Sequence, residues 1–104
     1  MEQSTKYTVY LGLNDKDTKK QEIATVEAYK LAQNIIKSYA DGATIYEATG
    51  IYTHEDGNVT IEKSLRIEVF CEKEGAENIC KDLKRAFNQE SVILQREVVN
   101  SEWF

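Results

Sequence analysis

Residues 43–72 read ATIYEATGIYTHEDGNVTIEKSLRIEVFCE, and this stretch decides the fold. Its second half alternates. Val59, Ile61, Lys63, Leu65, Ile67, Val69 and Cys71 fall on one face, and Thr60, Glu62, Ser64, Arg66, Glu68 and Phe70 on the other. A period of two is the pattern of a strand with one buried side. The first half, residues 43–53, is rich in β-branched and aromatic side chains, which suit a pleated surface. Glu55-Asp56-Gly57-Asn58 between them is a strong turn signal. The stretch is therefore a hairpin with arms of about a dozen residues, against a usual strand of about 5–6. Arms this long exceed what a small sheet needs, so the tip is expected to project beyond the body. The phase of 43–53 stays open, because Tyr46, Ala48 and Tyr52 alternate almost as well as Ile45, Glu47, Thr49 and Ile51.

Upstream, Tyr7, Val9, Leu11 and Leu13 alternate with Thr8, Tyr10 and Gly12, which predicts a strand over 7–13. Asn14 to Lys20 is a polar loop. From Thr18 or Glu22 the period changes: Ala28, Leu31, Ala32, Ile35, Ile36 and Tyr39 recur at helical spacing. Asp41-Gly42 is expected to end that helix, with the glycine in the left-handed position. Downstream, Ala76, Ile79, Cys80, Leu83 and Phe87 form the stripe of a second helix over 76–88. A last strand over 91–99 carries Val92, Leu94 and Val98 on one side. The order β-α-β-β-α-β predicts an α+β, ferredoxin-like fold with residues 1–104 as a single domain. Its four-stranded antiparallel sheet carries both helices on one face, and the long hairpin joins the second and third strands.

Composition narrows the function classes. The 104 residues carry 13 Lys and Arg against 18 Asp and Glu, a formal net charge of −5. That balance argues against a nucleic-acid polymer as partner, since phosphate contacts need concentrated basic residues. No apolar run reaches the length of a membrane span, and residues 1–6 lack the character of a signal peptide, so no membrane partner and a cytoplasmic location are expected. Cys71 and Cys80 are nine apart, with no CxxC and a single histidine in the chain, a pattern that makes a zinc site improbable. Both cysteines lie on apolar stripes and read as small buried hydrophobes. Proline is absent.

Two helices can cover only one face of the sheet; the other must be solvated, oligomeric or ligand-binding. If the more apolar face packs on the helices, the open face collects Tyr10, Arg66, Glu68 and Phe70, joined by Tyr46, Ala48 and Tyr52 in one phase of their strand. Aromatics with an Arg–Glu pair resemble an interface core with a polar element. Self-association as a dimer or trimer through this face is the preferred reading, with Tyr10, Tyr46, Phe70, Trp103 and Phe104 as contact residues. Base stacking in the RNA-recognition manner is disfavoured by the missing signature and the sign of the charge.

Catalytic signals are sparse. His54 sits at the hairpin tip beside Glu55 and Asp56, where a histidine is usually a solvated loop residue. There is no nucleophile elbow, GxGxxG or GxxxxGK[ST] motif. Asn14, Asp15 and Asp17 hint at a calcium loop but lack its glycine and terminal glutamate, so no metal and no cofactor are expected. A different cluster is positional. The loop after the first strand and the stem of the hairpin converge if the chain oligomerises. Gly12 and Gly50 then allow close backbone approach, while Asn14, Lys16, Lys63 and Arg66 supply polarity and charge for a small anionic molecule. Tyr46 and Glu47 are the residues to examine for catalysis.

The segments YTVYLGLNDKD, GATIYEATGIY and ESVILQREV resemble small uncharacterised bacterial and bacteriophage ferredoxin-like proteins. The overall layout, with its extended hairpin between two halves, is similar to PII-type signalling proteins. That resemblance implies a trimer holding an adenine nucleotide or similar anion in clefts between subunits, with the hairpin as a mobile partner-contacting loop. The glycine- and basic-rich nucleotide motifs of PII proteins have no counterpart here. Some phage enzymes that cleave S-adenosylmethionine share the PII-like layout. The leading expectation is thus a non-enzymatic homo-oligomer that binds a small anionic, nucleotide-like ligand. The alternatives are a protein-interaction module, working through the hairpin tip and Trp103-Phe104, and an S-adenosylmethionine lyase.

Overall fold

A computed structural model describes residues 2–104. The elements run β1 (Glu2–Gly12), α1 (Thr25–Ile36), β2 (Ala43–Thr53), β3 (Val59–Val69), α2 (Lys73–Ala86) and β4 (Ile93–Ser101). All strand pairs are antiparallel, in the order β2-β3-β1-β4. This is the expected βαββαβ α+β fold.

The odd-numbered residues of β1 and β3 make the floor of the core. Tyr7, Val9 and Leu11 join Leu65, Ile67 and Val69, and both helices press on them through Ala28, Ala32, Ile36, Ala76, Ile79, Leu83 and Phe87. Helix α1 contributes the small Ala28 and Ala32 with Ile36 to the core, while α2 supplies the larger Ile79 and Leu83. Truncating a fully buried residue such as Leu83 to alanine costs about 2–5 kcal/mol in cores of this kind. Cys71 and Cys80 are free thiols packed at the margin of this core, as their apolar positions suggested. Burial, with help from Glu77 and Cys71, pushes the Cys80 thiol up to about 11.

The hairpin leaves the body. Leu65 is fully buried, yet Ile61, on the same face of β3, is 66% exposed and its partner Ile51 on β2 is 72% exposed. The helices do not reach this far. The molecule is accordingly elongated, 47 × 27 × 23 Å, with a radius of gyration of 14.6 Å against about 13 Å for a compact chain of this length. At the tip His54 N–H donates to Asn58 O and Gly57 N–H to His54 O; Gly57 takes a φ of +86°, which side chains disfavour.

Several boundaries differ from the sequence reading. β1 begins at Glu2 because residues 2–6 pair with the far end of β4, Glu2 opposite Ser101 and Lys6 opposite Glu97. α1 starts at Thr25, later than Thr18 or Glu22, because the intervening segment is held by its own turns. Asp15 Oδ1 accepts from the backbone of Asp17 and Thr18, Thr18 donates to Glu22, and Gln21 bridges to Ile23 and Thr25. α1 also stops at Ile36, well before Asp41-Gly42, and Gly42 is not in the left-handed region. The left-handed residues among those described are Gly57, Lys19 and Asn88. Asn88 follows α2, and an asparagine tolerates that conformation where most side chains do not.

Candidate functional site

Cross-strand register settles the open phase of β2. Tyr46 lies opposite Arg66, and Arg66 lies opposite Tyr10, so the three form one row on the face away from the helices. Glu47 belongs to the other face. Tyr46 and Glu47 therefore do not converge, and as a pair they cannot share one reacting group. Lys63 is likewise on the helix side of β3, opposite in direction to Arg66, so the expected basic cluster of Lys63 and Arg66 is not formed. Phe70, just past β3, is exposed beside the end of α1, and Trp103 and Phe104 lie exposed beyond β4.

The open face instead carries a belt of polar contacts. Lys6 Nζ sits 2.9 Å from Glu97 Oε1 on β4 and 3.7 Å from Glu68 Oε2 on β3. Glu68 also accepts from Arg66 Nη2 at 2.8 Å and from the Tyr46 hydroxyl at 3.1 Å. The Arg66 guanidinium lies 5.3 Å from the centre of the Tyr46 ring, a cation–π contact. Four strands are thus linked edge to edge: Glu97, Lys6, Glu68 with Arg66, and Tyr46. The hydrogen bond from Lys6 to Glu97 holds the ammonium pKa above its ordinary value; partial desolvation opposes the shift and Glu68 reinforces it. The Glu68 side chain is only 16% exposed although no layer of the fold covers it. Arg66 Nε is buried and has no hydrogen-bond partner among the described residues.

Beside the belt an open cleft of about 350 Å³ is lined by Thr8, Tyr10, Arg66, Gln95, Arg96 and Glu97. Its size falls in the range of small-ligand sites. A larger hollow of about 450 Å³ lies between the end of α1 and the end of β3, with Tyr39, Asp41, Phe70 and Cys71 in its wall. Tyr39 there is already committed: its hydroxyl donates to Asp82 at 2.6 Å, and that bond raises the phenol pKa, aided by partial burial.

Gly12 and Gly50 lie on either side of β3, with a residue the sequence did not single out between them. Glu62 on β3 lies between them, opposite Gly50, with its carboxylate over Gly12. A Cβ at Gly12 would meet Glu62 Oε1 at 2.7 Å, and Glu62 Oε2 accepts the Asn14 N–H at 3.0 Å. Lys16 is directed elsewhere; its backbone N–H donates to Asn88 O as part of a clasp between the β1–α1 and α2–β4 loops. Asn88 donates to both Asp15 and Asp17, and Gln89 to Asn14 O. That hydrogen bond from Asn88, with those from the Thr18 and Asp17 amides, lowers the Asp15 pKa. Among the described residues no group of three or more metal-ligating side chains is gathered.

Lys6, Glu97 and Glu62 were the residues missed. Lys6 and Glu97 are invisible unless β1 is extended to the N-terminal side, after which Lys6, Thr8 and Tyr10 continue one face. Glu62 was placed on its face, but its meeting with Gly12 depends on the register between β1 and β3.

The protein family described as "Protein of unknown function (DUF3574)" matches residues 6–103. The chain belongs to this family. No curated protein matches it by sequence. Among solved structures it is similar to a phage SAM lyase in complex with S-methyl-5′-thioadenosine, at 23% identity and a TM-score of 0.67, covering 97% of this chain and 92% of that one. It is also similar to CutA from Synechococcus elongatus, at 14% identity and a TM-score of 0.57 over 94% and 77% of the two chains. A third is the B. subtilis GlnK–ATP complex, at 15% identity and a TM-score of 0.54 over 91% and 82%. At such identities these likenesses establish the fold. The DUF3574 chain is a small ferredoxin-like, distantly PII-like protein, as its segments and layout implied.

Proposed function

We propose that the protein is a cytoplasmic homo-oligomer, a dimer or trimer through the open sheet face, that binds a small anionic, nucleotide-like ligand. The observation that carries this reading is the belt on the uncovered face. Lys6, Glu68 and Arg66 form a half-buried charge network that no layer of the fold covers. Charges that are already paired and partly desolvated lose less on further burial than free ones would, so a second copy can be laid on this face at a reduced desolvation cost. The Arg66 guanidinium, held by Glu68 and Tyr46 and still partly exposed, is a preorganised donor for a phosphate or carboxylate.

Two structural neighbours contain an adenosine moiety, as S-methyl-5′-thioadenosine in the phage lyase and as ATP in GlnK. Adenine nucleotides are therefore the first ligands to test. Isothermal titration calorimetry with ATP, AMP and cyclic nucleotides is expected to give saturable binding to the wild-type protein. Arg66→Gln is expected to weaken the phosphorylated ligands by about tenfold or more, the scale of one charge-assisted hydrogen bond. A folded protein that binds none of them would refute the reading.

The lyase alternative rests on the first of those neighbours. Tyr46 and Glu47 lie on opposite faces, so any acid–base pairing at Tyr46 would have to use Glu68, to which its hydroxyl is bonded.

A further inference from the structure

We infer that Glu62 reads the ribose end of the ligand, accepting hydrogen bonds from the two hydroxyls of its vicinal diol. This rests on the nucleotide-like ligand proposed above and names the group that selects it.

Glu62 presents a carboxylate that is held in place yet accessible. Glu62 is half-buried and forms no ion pair with any described residue. Its neighbour Lys63 points to the other side of the sheet, as alternation along a strand requires. One oxygen, Oε2, takes the Asn14 N–H; the other, Oε1, is fixed over Gly12 and accepts no hydrogen bond from the described residues. An ionised carboxylate offers about four lone-pair sites. One is used. The remaining sites are accessible, and the bond to Asn14 holds them in a fixed position for donors on a ligand.

The surroundings limit which donors fit. Gly50 on β2 lies opposite Glu62, and Gly12, Ser64 and Ala48 make the next row toward Arg66, with the Glu62 carboxylate leaning over Gly12. The floor around the carboxylate is therefore low, while Tyr10, Arg66 and Tyr46 form a taller row behind it. A flat, hydroxyl-bearing ring can lie on such a floor; a phosphate there would face an unpaired negative charge and be repelled. Two adjacent hydroxyls on a carboxylate form the paired contact by which an acidic residue selects ribose in dinucleotide-binding folds. Arg66 is four residues along the same face, about 13 Å at the rise of a strand. In an extended nucleoside triphosphate the stretch from the ribose diol to the terminal phosphate is of that order, with the base lying beyond the diol. Glu62 and Arg66 thus read the ribose and the phosphates of one molecule.

The test compares ATP with 2′,3′-dideoxy-ATP by calorimetry, on the wild-type protein and on Glu62→Gln. Glutamine keeps a carbonyl acceptor for the Asn14 N–H, and a thermal melt verifies that the variant is folded. The wild type is expected to bind ATP about 10- to 100-fold more tightly than the dideoxy analogue, the scale of one or two hydrogen bonds to a charged group. Glu62→Gln is expected to remove most of that difference while leaving the dideoxy affinity nearly unchanged. Equal binding of the two nucleotides to the wild type would overturn the inference and leave the nucleotide reading standing. So would a preference for ATP that survives in Glu62→Gln. Absence of ATP binding would remove both. The two-ligand comparison on the wild type needs no variant, so the inference stays open to refutation even if Glu62→Gln does not fold.

Discussion

At the scale of single residues, two positions show how local chemistry shapes the site. Gly12 is required by a close approach, since any Cβ there would occupy the space of the Glu62 carboxylate. Gly12→Ala is therefore expected to displace Glu62 and break its bond to Asn14, destabilising the protein by about 1 kcal/mol as judged from the net value of such bonds. In a Glu62→Ala background the same change is expected to be neutral or stabilising, because alanine restricts the unfolded chain more than glycine does. Urea unfolding of the four proteins checks this; an identical cost in both backgrounds would show that the carboxylate is not what Gly12 accommodates. Asp15 supplies a pH dependence. Its folded pKa lies below the ordinary carboxylate value of 3.8, so its contribution is present above that value and is lost as pH falls through the folded pKa. Thermal melts between pH 5 and pH 2 are expected to show a steeper acid decline for the wild type than for Asn88→Ala, which removes the largest cause of the shift. Parallel declines would contradict the role given to the loop clasp.

At the scale of elements, legibility followed the strength of local pattern. The alternation of 59–69 and the helical stripe of 76–87 gave their elements and their buried residues, because a single period dominates each. Helix α1 was readable in its stripe but not at its ends. Its start is fixed by side-chain to backbone bonds in 14–25, which compete with helix formation and leave no periodic trace. Its end carries no glycine in a left-handed turn, so Asp41-Gly42 was a false stop. The N-terminal half of β1 was missed for another reason: Glu2 to Lys6 alternate no apolar residues, and only their pairing with the end of β4 makes them a strand. That omission hid Lys6 and with it half of the polar belt. The candidate site was thus legible at Arg66, Gly12, Asn14 and Gly50. It was not legible where it depends on which strand lies beside which, as for Glu62, Glu97 and the separation of Lys63 from Arg66.

At the scale of the whole molecule, the fold divides its surface into a helix-covered face, a projecting hairpin and a sheet face that nothing covers. The uncovered face holds the polar belt from Glu97 to Tyr46 with its fixed arginine, and the hairpin stem holds the glycines with Glu62 between them. One chain alone leaves both open to water. Association would enclose them, and a nucleotide lying from the stem to the open face of one copy would be shielded from water by the next. The central claim is therefore that the working unit is a complex of identical chains with a ligand between them. Native mass spectrometry of the purified protein tests it most directly. The account predicts a mass of two or three times the 11.9 kDa chain, raised by one adenine nucleotide per site when ATP is added. A species that stays at the mass of the single chain, with or without nucleotide, would contradict it.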